Sequence, residues 1–200
     1  MRRPATRLAL ALGLALLAAS PGAIGAAAAG SASRIERRVL YYEITGSTAA
    51  GLRAALDQTG PVDDAGRRWD GYTAWHLRWQ PLTRMSDGAC VVEHVGTLLW
   101  IDVTLPRWQP PADADPGLER QWRRYLGALQ AHEAGHEKIV RDAAAALRKA
   151  IERLREAPDC DSFRRAADAA ADRVLARFRA REQEYDRRSR HGARQGAHFP

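Results

Sequence analysis

Short apolar, β-rich runs alternate with polar or glycine-containing turns in the first half of the chain. Residues 38–44 are rich in Val, Leu, Tyr and Ile and are followed by Gly46, which predicts a strand. Ser47 is a suitable N-cap for a short helix over residues 48–58, which stops before Gly60. The chain is therefore expected to open with a strand and a short helix.

Three more β-rich runs follow a polar loop. In residues 72–80 large apolar side chains alternate with polar ones, the pattern of a half-buried strand. Residues 90–94 and 97–105 are separated by Gly96, and Pro106 is expected to close the last run. Together these runs predict a small N-terminal sheet with antiparallel strands.

After a proline-rich stretch at residues 110–116, Ala, Leu, Glu and Arg dominate the chain. Apolar residues recur three and four positions apart and predict one long amphipathic helix over residues 117–156. Pro158 breaks this pattern, and a second helix is expected over residues 161–187. Because the connection is short, the two helices should pack as an antiparallel pair. The predicted fold class is α+β, with a small sheet followed by a long helix and a C-terminal helix.

Residues 1–29 have the layout of a cleaved secretory signal peptide. Three arginines, at positions 2, 3 and 7, precede an apolar run over residues 8–19, and small residues follow it. The run is shorter than the roughly 20 residues that span a bilayer, so a membrane anchor is not expected. Residues 35–196 are expected to form one domain of a secreted or periplasmic protein.

Charge and cysteine content narrow the expected environment and partners. The formal charge of +7 falls to +4 without the three leader arginines, since 28 basic residues then face 24 acidic ones. Most arginines lie beside Asp and Glu in the predicted helices, so nucleic acid is not an expected partner. Cys90 and Cys160 are the two cysteines, and export to an oxidising compartment predicts a disulfide between them.

The segment from His132 to His136 carries the candidate chemistry. Two histidines four positions apart on a helix present both imidazoles on one face, which suits a zinc site. Glu133 lies between them and is the candidate general base that takes a proton from water. Gly135 is a weak helix former, costing about 1 kcal/mol, which makes a purely structural helix a poorer explanation of the segment.

Catalytic zinc sites have three protein ligands, so one more is required. In an antiparallel helix pair that turns near Pro158, residues about 24 positions past the turn lie level with the two histidines. The spacing leaves several candidates open: His191, Asp186, Glu182 and Glu184, in that order, with His76 and His94 on the sheet in reserve. His198 is discounted because a chain terminus is expected to fray.

Five separate segments resemble one bacterial family, that of predicted secreted zinc-dependent proteases, over nearly all of the chain after the leader. They are residues 41–47, 71–75, 105–108, 132–136 and 185–192. The resemblance implies a zincin-like fold, bound Zn²⁺ and metallopeptidase-like activity. It also favours His191 as the third metal ligand and brings Tyr185 and Asp186 into the site. Ser189 stands where the family pattern suggests threonine, which keeps the hydroxyl.

These expectations combine into a secreted zinc metallohydrolase that acts on a peptide, a protein or a cell-wall peptide. Glu133 is the expected base, and Tyr185 is a candidate donor to the oxyanion. Asp186 is either a ligand or the acceptor that orients a ligating imidazole. The alternative is a non-catalytic envelope protein with a structural zinc site, or with a helical hairpin that binds a partner. The oligomeric state is not predicted.

Overall fold

A computed structural model describes residues 33–200. Its elements, in chain order, are β1 (Arg34–Ile44), α1 (Ala49–Thr59), β2 (Tyr72–Ser86), β3 (Ala89–Trp108), α2 (Pro116–Glu152), β4 (Glu156–Ala157), α3 (Cys160–Ser189) and a 3-10 turn (Ala193–Gln195). The predicted α+β class, with a small sheet followed by a long helix and a C-terminal helix, is confirmed. The predicted signal peptide lies outside the described residues. Within residues 33–200, no helix has the length and apolar content to cross a membrane.

The sheet is mixed, which corrects the antiparallel prediction for one strand. The strand order is β1-β3-β2, and β4 pairs with the first residues of β3. β2 and β4 run antiparallel to β3, as expected, but β1 runs parallel to it, from the pair Arg34–Leu98 to the pair Ile44–Trp108. Parallel neighbours need a long crossover, and α1 and β2 lie between β1 and β3 in the chain.

β3 is one strand of 20 residues where the sequence predicted two runs. Gly96 does not interrupt it; the irregularity lies nearby, where Leu82 pairs with His94 and Thr83 pairs with Val92. Pro106 does not end the strand either, since it pairs in register with Tyr42 of β1. β2 begins opposite Thr104, so Pro106 has a neighbouring strand on one side only, where a missing N–H is tolerated.

The core lies between the sheet and the helices. Alternate residues of β3 are almost fully buried, namely Leu99, Ile101, Val103 and Leu105. On α2 the buried side chains recur three and four positions apart from Leu118 through Leu129 to Ile151, as the helical pattern predicts. They form one hydrophobic cluster with the sheet.

Helix boundaries differ from the prediction by a few residues. Thr48, not Ser47, caps α1 by accepting a hydrogen bond from Gly51 N. α2 ends at Glu152 and not near Glu156, because the chain turns through Arg155 with a φ of 58° and then forms β4. Asp159 caps α3 by accepting from Ser162 N at 2.7 Å.

α2 and α3 form the predicted antiparallel pair. Asp186, near the end of α3, contacts His136, and Arg181 one to two turns earlier reaches Asp142 on α2. The Cys90–Cys160 disulfide is confirmed and joins the start of β3 to the start of α3. The sheet and the helix pair are therefore tied covalently at the end opposite the histidines.

The C-terminus is packed, which corrects the expectation that it frays. Phe199 is 0% exposed and lies edge-on to Trp122 and Tyr125 of α2, with ring centroids 5.4 and 5.1 Å away. Ala197 is also buried. The folded region therefore extends beyond the predicted limit at Gly196.

Candidate metal centre

His132 and His136 lie one turn apart on the face of α2 that is turned toward α3. Their ring centroids are 4.9 Å apart. His132 is 4% exposed, and His136 is partly buried. The helical spacing thus places two imidazoles side by side, as the sequence predicts.

Asp186 on α3 completes a group of three potential ligands. Its Oδ1 lies 3.2 Å from His132 Nε2 and 3.0 Å from His136 Nε2. One ligand atom from each residue lies within 4.8 Å of the other two. Ligands about 2.0–2.2 Å from a tetrahedral zinc are about 3.3–3.6 Å apart, only a few tenths of an ångström more than the observed separations. The group could therefore hold a metal ion, and two nitrogens with one oxygen are donors that zinc accepts.

The charges in the group stabilise one another. Burial acts to lower the pKa of His136, but contacts with Asp186 and Glu182 outweigh it and raise that pKa to about 10. Burial acts to raise the pKa of Asp186, but hydrogen bonds to His132 and His136 lower it well below its usual range. Asp186 thus joins the two imidazoles as a shared acceptor.

Glu133 lies beside the histidines and is held by β2. Its side chain is 3% exposed, and Thr73 Oγ1 donates to its Oε2 at 2.7 Å. Burial raises its pKa, against the opposing effects of Thr73 and of both histidines. Gly71 lies so close that an added Cβ would be 3.0 Å from Glu133 Oε1. The segment around Gly71 therefore packs directly on the predicted base.

His191 is near the group but is not one of its three members. It follows the C-terminus of α3 in a left-handed turn, with a φ of 50°, and its side chain is 46% exposed. Its Nδ1 lies 3.6 Å from Asp186 Oδ1, and its ring packs at a tilt of 34° against Trp69, with the ring centroids 4.3 Å apart. The structure thus places Asp186 where the sequence preferred His191, and ligation by His191 stays a prediction.

Tyr185 packs against α2. Its ring stacks on His132 at a centroid distance of 5.0 Å, and its hydroxyl donates to the backbone carbonyl of His132 at 3.1 Å. Tyr185 is not among the residues that line the adjoining cleft. Its predicted donation to an oxyanion stays a prediction. A Cβ on Gly135 would lie 2.2 Å from the Tyr185 hydroxyl oxygen, so the glycine of the motif makes room for this ring.

The other candidate ligands are distributed around the site. Glu182 Oε1 lies 3.8 Å from His136 Nδ1 and accepts from Trp75 Nε1 at 3.1 Å, a position that suits orientation of the imidazole. The rest lie apart from the group: Glu184 pairs with Arg187 and Arg188, His76 is exposed beside Trp100, and His94 lies at the β2–β3 irregularity.

A cleft of about 1340 Å³ opens over the metal centre. One wall is the first half of β2 with the loop before it, and the other is the exposed face of α3. Trp69, Trp75 and Trp79 line it together with charged residues of both signs. Trp75 and Trp79 of β2 pack partly on the core and also form part of the cleft wall.

Three residues that support the site were missed by the sequence reasoning. Thr73 fixes Glu133, and Gln195 contacts His132 Nδ1 at 2.9 Å. Asp70 accepts from Arg53 and from Tyr125, and so holds the chain just before Gly71 in place. Thr73 lies within the recognised segment at residues 71–75 and Asp70 directly precedes it, so this segment could have indicated both residues. Gln195 lies outside every recognised segment, and no signal pointed to it.

Fold and site together define an α+β protein with a candidate metal centre on a helix pair. A family model described as "Bacterial protein of unknown function (DUF922)" matches residues 39–192, so the chain belongs to this family. It is the family of bacterial predicted secreted zinc-dependent proteases that the five segments resemble. The comparison with curated proteins finds no match, and neither does the comparison with solved structures.

Proposed function

We propose that this protein is an exported zinc-dependent hydrolase that cleaves peptide bonds. The observation that carries the proposal is the juxtaposition of His132, His136 and Asp186 with the buried carboxylate of Glu133, at an open cleft. A purely structural zinc site is closed by four protein ligands, whereas a catalytic site keeps a position open.

Each of the site residues has a defined task in this proposal. His132, His136 and Asp186 hold the ion, and the nearby His191 is the alternative third ligand, so a fourth position stays open in either case. Zinc bound there supplies Lewis-acid chemistry that polarises a carbonyl group and makes water a stronger nucleophile. Glu133 accepts the proton of the attacking water and passes it to the leaving amine. Thr73 holds the Glu133 carboxylate by donating to Oε2, so that Oε1 remains for the proton transfer.

The dimensions of the cleft support a polymeric substrate. A pocket for a small molecule encloses about 300–1,000 Å³, and this cleft exceeds that range. Its aromatic and charged walls suit an extended peptide with mixed side chains, from a protein or from the cell wall. The Cys90–Cys160 disulfide is typical of exported proteins and supports action outside the cytoplasm.

The test compares the wild-type protein with Glu133→Gln on a mixture of random peptides, with cleavage followed by mass spectrometry. The variant should lose about 10²–10⁴-fold in rate, because it lacks the base, and should still bind one zinc ion. Glu184→Gln is the matched control and should keep its activity, since Glu184 pairs with Arg187 and Arg188 and lies apart from the three-residue group. Full activity of zinc-loaded Glu133→Gln would contradict the role of Glu133. A zinc-loaded wild type that cleaves none of the peptides would contradict the proposed peptidase activity.

Removal of the metal separates catalysis from a structural role. After chelation the protein should keep its circular dichroism spectrum and lose hydrolysis, since the hydrophobic core and the disulfide hold the fold without the metal. Global unfolding on chelation would instead favour the non-catalytic envelope protein with a structural zinc.

A further inference from the structure

Three hydrogen bonds form a closed circuit around His132. Its Nδ1 contacts the side-chain oxygen of Gln195 at 2.9 Å. The Gln195 amide nitrogen donates to the Tyr185 hydroxyl at 3.2 Å. That hydroxyl in turn donates to the backbone carbonyl of His132 at 3.1 Å. The circuit holds both the ring and the backbone of one potential metal ligand.

Donor and acceptor roles in the circuit have a single consistent assignment. The His132 carbonyl can only accept, so the Tyr185 hydroxyl gives its proton there and must accept from the Gln195 amide nitrogen. The amide oxygen of Gln195 is then the atom that faces His132, and it too can only accept. His132 therefore carries a proton on Nδ1, and Nε2 is the ring nitrogen that faces Asp186 Oδ1, at 3.2 Å.

We propose that Gln195 is a positioning residue of the metal centre, which accepts the Nδ1 proton of His132 and so directs Nε2 toward the ion. Imidazoles that bind metals regularly donate their second N–H to such an acceptor, which fixes the tautomer and the ring orientation. The inference rests on the proposed metal site and extends that site to the C-terminal segment of the chain.

The C-terminal segment, residues 192–199, holds the exposed Gln195 side chain in place from both sides. Gly192 turns with a φ of 80°, and an added Cβ there would lie 2.9 Å from Cγ of His132. On the other side Phe199 is fully buried among the aromatic rings of α2. Because both ends are fixed on the helix pair, the 3-10 turn that carries Gln195 has little freedom to move away from His132.

The test is the zinc affinity of the full chain, measured by competition with a chromophoric chelator. Gln195→Leu removes the acceptor at similar volume and should weaken zinc binding by about 10–100-fold. Gln58→Leu is the matched control, since Gln58 is exposed on α1 and has no side-chain hydrogen bond among the described residues; its affinity should equal that of wild type. Gln195→Glu keeps an acceptor oxygen and should bind zinc at least as tightly as wild type.

The outcomes separate this inference from the proposed site. A wild type that binds no zinc would overturn both. Tight binding by wild type and an unchanged affinity in Gln195→Leu would overturn the positioning role alone. Equal losses in Gln195→Leu and Gln195→Glu would also contradict it, because the loss would then not depend on the acceptor.

A spectroscopic readout gives a second test that does not depend on affinity. In zinc-loaded wild type, proton NMR of ¹⁵N-labelled protein should show a His132 Nδ1–H resonance protected from exchange by Gln195. Gln195→Leu should lose this resonance or shift it, and Gln58→Leu should retain it. A zinc-loaded wild type in which the His132 proton is on Nε2 and not on Nδ1 would contradict the proposal.

Discussion

Glycines at the site show how single residues set the geometry. Gly71, Gly135 and Gly192 lie in three different recognised segments, and each one contacts a different side chain of the centre. An added Cβ would approach Glu133 at Gly71, Tyr185 at Gly135 and His132 at Gly192. The three positions thus allow β2, α3 and the C-terminal turn to approach α2 closely enough to contact the two histidines and the glutamate.

Gly135→Ala is the sharpest prediction at this scale. Helix propensity alone favours alanine by about 1 kcal/mol, but the Cβ would lie 2.2 Å from Tyr185. We therefore expect a loss of about 1–3 kcal/mol in the free energy of unfolding, measured by denaturant titration.

Gly127→Ala is the matched control, since Gly127 lies on α2 and its Cβ would meet no described atom within 4 Å. This change should stabilise the protein by up to about 1 kcal/mol. A Gly135→Ala variant that is as stable as Gly127→Ala would contradict the close packing of Tyr185 on the motif.

At the scale of elements, the α2–α3 pair forms the centre and the C-terminal segment closes it. The pair brings Asp186 to His132 and His136 across 50 or more residues of chain. The C-terminal segment then returns along α2, and Phe199 enters a cluster with Trp122 and Tyr125. A segment that looks like a tail in the sequence is therefore part of the core.

Phe199→Ala should destabilise the protein by about 3–5 kcal/mol, because it removes a fully buried aromatic side chain. The measurement is thermal or denaturant unfolding of the metal-free protein. His198→Ala, at the exposed neighbouring position, should change stability by no more than about 0.5 kcal/mol. Equal effects of the two changes would show that the terminus is not packed in solution.

At the scale of the whole molecule, features that follow from local sequence patterns were predicted better than features that depend on contacts between distant segments. Helical periodicity predicted α2 and α3, and the position of Pro158 placed the residues near 182–186 level with the histidines, where Asp186 is found. The expected export to an oxidising compartment, together with the presence of two cysteines, predicted the Cys90–Cys160 disulfide.

Features that depend on the pairing of distant segments could not be predicted from the sequence. The parallel direction of β1 depends on a crossover, and the continuity of β3 through Pro106 depends on where β2 begins. The left-handed turn after α3, which places the His191 imidazole beside Trp69, could not be predicted either, and ligation by His191 stays a prediction.

The most direct test of the metal centre is a zinc titration of the full chain alongside His136→Ala and Asp186→Ala. The wild type should bind one zinc ion per chain. Each variant lacks a ligand, so its zinc affinity should fall by more than the roughly 100-fold that removal of an orienting partner costs. A wild type that binds no zinc, or an affinity that is unchanged in both variants, would contradict the metal centre described above.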